Sequence, residues 1–261
     1  MASTANLIRE IRANNQSVLI GYFPAGYPTL ADSVEACLAM LDSGVDVLEL
    51  GVPYSDPVMD GLVIQQATET ALANGFKLSQ VFEVIKRIKE LSDKPVLVMS
   101  YWNPIIQYGV ERFAKDLKES GAAGLITPDL IPDEAGQWLA VSDQLNLDRV
   151  FMATPSSSQQ RLAKAAELSR GFVYAVSTMG ITGAREDLDA KARAVVSGIK
   201  AAGSQTPVCV GIGISSGVQV AEVNSYSDGA IVGSAIINAF NTGGIDNLRK
   251  TVKSLKAGAQ K

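Results

Sequence analysis

Residues 46–51 read DVLELG, a short run of apolar, β-forming residues with one carboxylate, Glu49, set among Val47, Leu48 and Leu50. A strand with one solvated face alternates apolar and polar side chains. A strand covered on both faces reads as a nearly unbroken apolar run, as in parallel sheets. The stretch 46–51 is of the second kind. Similar runs recur at VLIGYF (18–23), PVLVMSY (95–101), AGLITPD (123–129), RVFMA (149–153), FVYAVS (172–177), PVCVGIG (207–213) and GAIVGSA (229–235). With 46–51 they make eight.

Between these runs lie stretches with apolar residues at helical spacing. They are 30–44, 78–92, 110–121, 133–145, 158–169, 188–203 and 217–226. In 78–92, Val81, Phe82, Val84, Ile85 and Ile88 fall on one broad face. Strand and helix alternate with no linker or low-complexity segment. The expected fold is α/β: a single (β/α)8 barrel over residues 1–261. Extra helices are expected before the first strand, around Leu7, Ile8 and Ile11, and at the C-terminal GIDNLRKTVKSLKAG (244–258). A doubly wound open sheet is the rival. The even spread of eight units over the chain favours closure.

Composition narrows the chemistry. Hydrophobic residues make up 47% of the chain and the net charge is −4. That balance argues against a broad basic surface for nucleic acid or anionic membrane. No apolar run is long enough to span a bilayer. The opening MASTANLIREIRANNQS carries no apolar signal core, and a cytoplasmic location is expected. Cys37 and Cys209 are far apart and not at metal-ligand spacing, so no metal site is expected. The chain has no histidine. Ser-His-Asp and Cys-His nucleophilic sites and His-ligated zinc are therefore excluded.

A barrel locates function at the C-terminal ends of its strands. Glu49 then stands at the mouth, on the same face of its strand as Val47. Poor solvation there raises a carboxylate's pKa and suits proton transfer near neutrality. The alternative is a structural carboxylate paired with Lys or Arg. At the other end of the chain, VGIGISSG (210–217) and IVGSAI (231–236) place glycine and small hydroxyl residues at strand tips. Gly213, Ile214, Ser215, Gly233, Ser234 and Ala235 offer backbone N–H groups for a phosphate, with the Ser234 hydroxyl as a further donor. The loop STMGITGARED (177–187), with Gly180, Thr182 and Gly183, has the composition of a lid.

Taken in order, these blocks resemble one family, the tryptophan synthase α subunit. LELGVPYSDPVMDG (48–61), followed by VIQ (63–65), is the most specific of them. MSYWNPI (99–105), PDLIPDEA (128–135), STMGITGA (177–184), GIGIS (211–215) and GSAI (233–236) follow, so the resemblance covers about residues 15–250. It implies retro-aldol cleavage of indole-3-glycerol phosphate to indole and glyceraldehyde 3-phosphate. By the same resemblance Glu49 and Asp60 match the catalytic carboxylates. Tyr22 matches an aromatic at the indole pocket, Tyr174 a tyrosine near the glycerol chain, and Thr182 the lid threonine. Gly183, Gly213, Gly233 and Ser234 match the phosphate site. Leu125 and Val232 are expected to line the barrel as plain core.

The resemblance further implies an α2β2 complex with a β subunit that carries the pyridoxal phosphate, this chain having no cofactor of its own. The loop PYSDPVM (53–59) is then a docking surface, with Pro53 and Asp56 as contacts. Asp129 is open between a structural role and a role at the lid. The chain departs from the family pattern at Leu62, where Pro is common, at Met59, where Ala is frequent, and at Ile212, where Phe is frequent. Leu62 restores a backbone N–H and frees φ, which bears on how the Asp60 loop closes. Three rivals stand beside this reading: another phosphate-binding barrel, which needs a strand-tip Lys or a different acid pair; a non-catalytic scaffold; and a stand-alone lyase. No Lys lies within the eight apolar runs.

Overall fold

A computed structural model describes residues 3–176, 185–211 and 213–260, with the backbone alone over 185–188. The strands are β1 (Val18–Pro24), β2 (Val47–Gly51), β3 (Val96–Met99), β4 (Gly124–Thr127), β5 (Asp148–Ala153), β6 (Val173–Val176), β7 (Val208–Gly211) and β8 (Gly229–Val232). All pair in parallel in chain order, and β8 returns to β1, so the sheet is a closed barrel. Most of the expected runs extend past their strands at the C-terminal end, as at 100–101 beyond β3, 128–129 beyond β4 and 233–235 beyond β8, where a helix has already begun at 234.

The helices are α1 (Thr4–Ala13), α2 (Leu30–Ser43), α3 (Leu62–Ala73), α4 (Gln80–Lys89), α5 (Trp102–Tyr108) and α6 (Val110–Ser120). They continue as α7 (Gly136–Leu145), α8 (Gln159–Leu168), α9 (Arg185–Ala201), α10 (Gly217–Asn224) and α11 (Ser234–Ala259). Helices α3 and α5 and the first half of α11 escape the sequence reading. The start of α3 has only Gly61 at its N-cap, with no side-chain cap. Helix α5 carries Pro104, which a first turn tolerates because an N–H at that position would have no helical partner, so its absence costs nothing. Helix α11 breaks at Gly243 and Gly244, the latter at φ 60°. Its second half is the expected C-terminal helix.

The period of two along each strand sorts the core into two layers. Val18, Ile20, Val47, Leu97, Ile126, Val150, Phe172, Cys209 and Ile231 fill the barrel interior. Their neighbours, among them Leu19, Leu48, Val98, Leu125, Val210 and Val232, pack outward against the helices. Leu125 and Val232 thus correct the expectation that they line the barrel. Each is one residue out of phase with the inward positions Ile126 and Ile231.

The N-terminal end of the barrel is plugged by α1, whose Ile8 joins the interior cluster. The Thr4 N–H donates to the Asp148 carboxylate at 3.0 Å. A half-buried ion pair holds the far end of the chain. Lys256 on α11 donates to both oxygens of Asp46, at 2.9 and 2.6 Å, and the same carboxylate accepts the Leu19 N–H at 2.8 Å. Replacing Asp46 by Ala strands a cation and a backbone donor together. Asp46→Ala is expected to cost about 2 kcal/mol of stability, measured by urea denaturation.

Candidate active site

The inward positions change character toward the C-terminal ends of the strands. Two residues beyond the apolar interior layer, the same columns present Tyr22, Glu49, Met99, Met152, Tyr174, Gly211 and Gly233. These line a cavity of about 360 Å³. The site is therefore the top layer of the barrel interior. Glycines there leave the space that larger side chains would fill.

Glu49, on β2, is 1% exposed, and among the described residues neither of its oxygens has a hydrogen-bond partner. Burial pushes its pKa up to about 8, and the charge of Asp60 adds to the rise. Transferring an unpaired charge from water is so costly that the group keeps its proton instead. No Lys or Arg lines the cavity, so the structural ion pair considered above is absent among the described residues.

Asp60 reaches the same cavity from the loop between β2 and α3. Its N–H donates to the Pro57 carbonyl at 3.3 Å, and its carbonyl accepts from the Gln65 amide at 2.8 Å. Burial raises its carboxyl to about 6, and the Tyr101 hydroxyl works against that rise. The two carboxylates thus differ in proton affinity because one is sealed in a strand and the other sits on a loop with a polar neighbour.

Tyr22 and Tyr174 line the same cavity, Tyr22 on β1 as the register partner of Glu49 and Tyr174 on β6, across the barrel from it. Burial raises both phenols well above their ordinary value, so both remain protonated donors. Each needs a glycine beside it. A Cβ at Gly51 would sit 2.2 Å from the Tyr22 oxygen, and one at Gly211 would sit 2.6 Å from that of Tyr174.

Gly213, Ile214, Gly233, Ser234 and Ala235 line the cavity beside the N-termini of α10 and α11. The Ser234 and Ala235 N–H groups open α11 and have no partner among the described residues, so they are available to an anion. Ser215 is not available in this way. Its N–H donates to Gln219 Oε1 at 2.6 Å and its hydroxyl to the same atom at 3.1 Å. Asn238, one turn into α11, also lines the cavity and was missed in the sequence. The eighth run reads as strand through residue 235, although α11 begins at Ser234, and no helix is expected before residue 244.

The remaining expected residues are dispersed. Thr182, Gly183, Gly180 and Ile212 lie outside the described residues. Pro53 is buried at the base of its loop, whereas Asp56 is exposed and accepts the Ser55 hydroxyl at 2.6 Å. Val58 and Leu62 are the loop's exposed apolar groups, at 77% and 66%. Asp129 accepts the Trp102 N–H through both oxygens, at 2.9 and 3.1 Å, and so caps the start of α5.

The comparisons with known proteins agree with this geometry. Residues 8–261 match the family model described as tryptophan synthase alpha chain. The tryptophan synthase alpha chain of Leifsonia xyli subsp. xyli is 55% identical over 259 residues, covering 99% of each chain. That of Nocardia farcinica is 50% identical, covering 98% of this chain and 95% of the relative. A solved structure of Mycobacterium tuberculosis tryptophan synthase superposes with a TM-score of 0.93 at 48% identity, covering both chains fully. A Pyrococcus furiosus tryptophan synthase complex gives a TM-score of 0.84 at 31% identity, over 93% of this chain and 99% of that one. With a barrel of this register, a pair of carboxylates at its mouth and these relatives along its length, the chain belongs to the tryptophan synthase alpha chain family.

Proposed function

We propose that this cavity cleaves indole-3-glycerol phosphate to indole and glyceraldehyde 3-phosphate, with Glu49 moving protons and Asp60 holding the indole nitrogen. The observation that carries the reading is Glu49, a buried carboxyl without a partner whose pKa lies near 8. At neutral pH it starts protonated. It gives that proton to indole C3, which turns the ring into an electron sink. It then takes the proton of the side-chain hydroxyl as the carbon–carbon bond breaks, the bonding electrons return to the ring and the aldehyde forms. The carboxyl ends as it began. Asp60, with its pKa near 6, is mostly ionised at the same pH. It accepts the indole N–H and stabilises the positive charge that develops on the protonated ring.

The rest of the cavity supports the substrate. Tyr22 bounds the indole region and Tyr174 the glycerol chain. The N–H groups of Gly213, Ser234 and Ala235 and the Ser234 hydroxyl receive the phosphate, whose charge the helix N-termini favour without a cationic side chain. Gly233 lets the chain pass close by, and the parts read for Thr182 and Gly183 fall outside the described residues. A strand-tip lysine, which another phosphate-binding barrel needs, is not found among the residues lining the cavity.

The chain works with a β subunit in an α2β2 assembly, and the pyridoxal phosphate belongs to that partner. The loop carrying Asp60 also carries the exposed Asp56 and Val58 on its outer side. Asp56 is the direct contact in this reading, and buried Pro53 sets the shape of the loop that presents it. Docking and catalysis then share one segment.

Glu49→Gln is expected to abolish indole release, read in an indole-formation assay with and without β subunit, while glycerol phosphate still binds. Full activity in that variant sinks the assignment of Glu49. The profile of kcat/KM against pH should be bell-shaped, rising through about 6 as Asp60 ionises and falling through about 8 as Glu49 loses its proton. A flat profile between pH 5 and 9 would contradict it. Ser234→Ala is expected to weaken glycerol phosphate binding by about 1 kcal/mol, roughly fivefold in Kd by titration calorimetry; an unchanged Kd puts the phosphate elsewhere.

A further inference from the structure

Asp60 is on a loop, yet the chemistry needs its carboxylate in one place. What fixes it is not within its own segment. The Met59 N–H, one peptide bond away, donates to the Tyr101 hydroxyl oxygen at 2.9 Å. Tyr101 lies between β3 and α5, on the neighbouring strand's loop, and is itself buried. Its ring packs against Tyr54 with centroids 5.3 Å apart, so it meets the Asp60 loop at two points. With its oxygen accepting from Met59, the hydroxyl's own hydrogen remains to be donated. The carboxylate within hydrogen-bonding reach of it is Asp60, and Asp129 acts on it more weakly through its charge.

Tyr101 does not move freely either. It is the N-cap residue of α5, and the next N–H, that of Trp102, is held by both oxygens of Asp129. Asp129 stands just beyond β4, so three successive strand ends are tied together: Asp129 to Trp102, Tyr101 to Met59, and through Met59 to Asp60. Tyr101 is not among the residues lining the cavity, so it acts on Asp60 and not on the substrate.

We propose that Tyr101, anchored by Asp129, is a positioning residue for Asp60: its hydroxyl accepts the Met59 N–H, donates to the Asp60 carboxylate and so holds that carboxylate ionised at the barrel mouth. This assigns the role of Asp129 as well, which is to fix the loop that carries Tyr101. The titratable groups facing Asp60 are Tyr101, Glu49, Tyr22 and Tyr174, and of these Tyr101 favours the charged form through its hydrogen bond. Removing the hydroxyl leaves burial, which favours the proton.

The inference rests on Asp60 being the ionised partner of the indole nitrogen. The test is the pH profile of kcat/KM for Tyr101→Phe, on the chain alone and in the complex with β subunit. The ring and its packing on Tyr54 are kept. The acid limb is expected to move up by about one pH unit. Activity is then lowered roughly threefold at pH 6.5 and recovers above pH 7.5. A purely structural role would instead lower kcat/KM by one factor at every pH and leave the limb where it was, which overturns the proposal. A nearly isosteric probe, 3-fluorotyrosine at position 101, makes the hydroxyl a stronger donor and is expected to move the same limb down; no movement there also overturns it. The Met59 amide should exchange with deuterium about fivefold faster in Tyr101→Phe, and unchanged exchange argues against the hydrogen bond. If Asp60→Asn keeps wild-type kinetics, it is the assignment of Asp60 that fails. An unmoved limb in Tyr101→Phe, with Asp60→Asn impaired, rejects the positioning role alone.

Discussion

A carboxylate sealed in a strand without a partner is the constraint around which this barrel mouth is arranged. Glu49 sits where every neighbouring strand contributes an inward side chain, and no cation among the described residues lines the cavity to balance it. The low polarity that fills a barrel with branched apolar residues one layer below is the same low polarity that raises this group to about 8. Catalytic proton affinity and core packing are thus consequences of one environment, met at two heights along the same strand.

The second carboxylate obeys a different rule. Asp60 comes from a loop, so its position depends on what the loop leans against. Tyr101 gives its carboxyl a polar neighbour, so burial raises it only to about 6, below Glu49. Two acids with different tasks need different surroundings. A barrel supplies these by building one into the wall and bringing the other across the mouth. The anion end uses a third device, the opening N–H groups of α11 facing the cavity, which favours a phosphate with no cationic side chain in the lining.

The parity of each strand was legible in the residues. Glu49 falls in step with Val47, and the apolar runs mark eight covered strands. What went astray was phase and boundary. Leu125 and Val232 face the helices because each lies one residue from the inward column. Helices α3 and α5 lack side-chain caps and strong apolar periodicity, so nothing local announced them. Ser215 looked like an anion donor by composition, yet Gln219, four residues on, takes both of its donors. Tyr101 lies within MSYWNPI, where nothing local marks its role, since that role depends on contact with a loop more than forty residues away.

The sequence by itself determined the covered strands, the absence of histidine chemistry, the two acids and the family they belong to, because each of these is written in local pattern or composition. Only the tertiary structure decided which groups are desolvated, which N–H groups remain open and what holds Asp60 in place. Those properties depend on neighbours that the chain brings together from distant segments. For Glu49 the sequence supplies the carboxyl, and seven other strands closing around it determine that it keeps its proton.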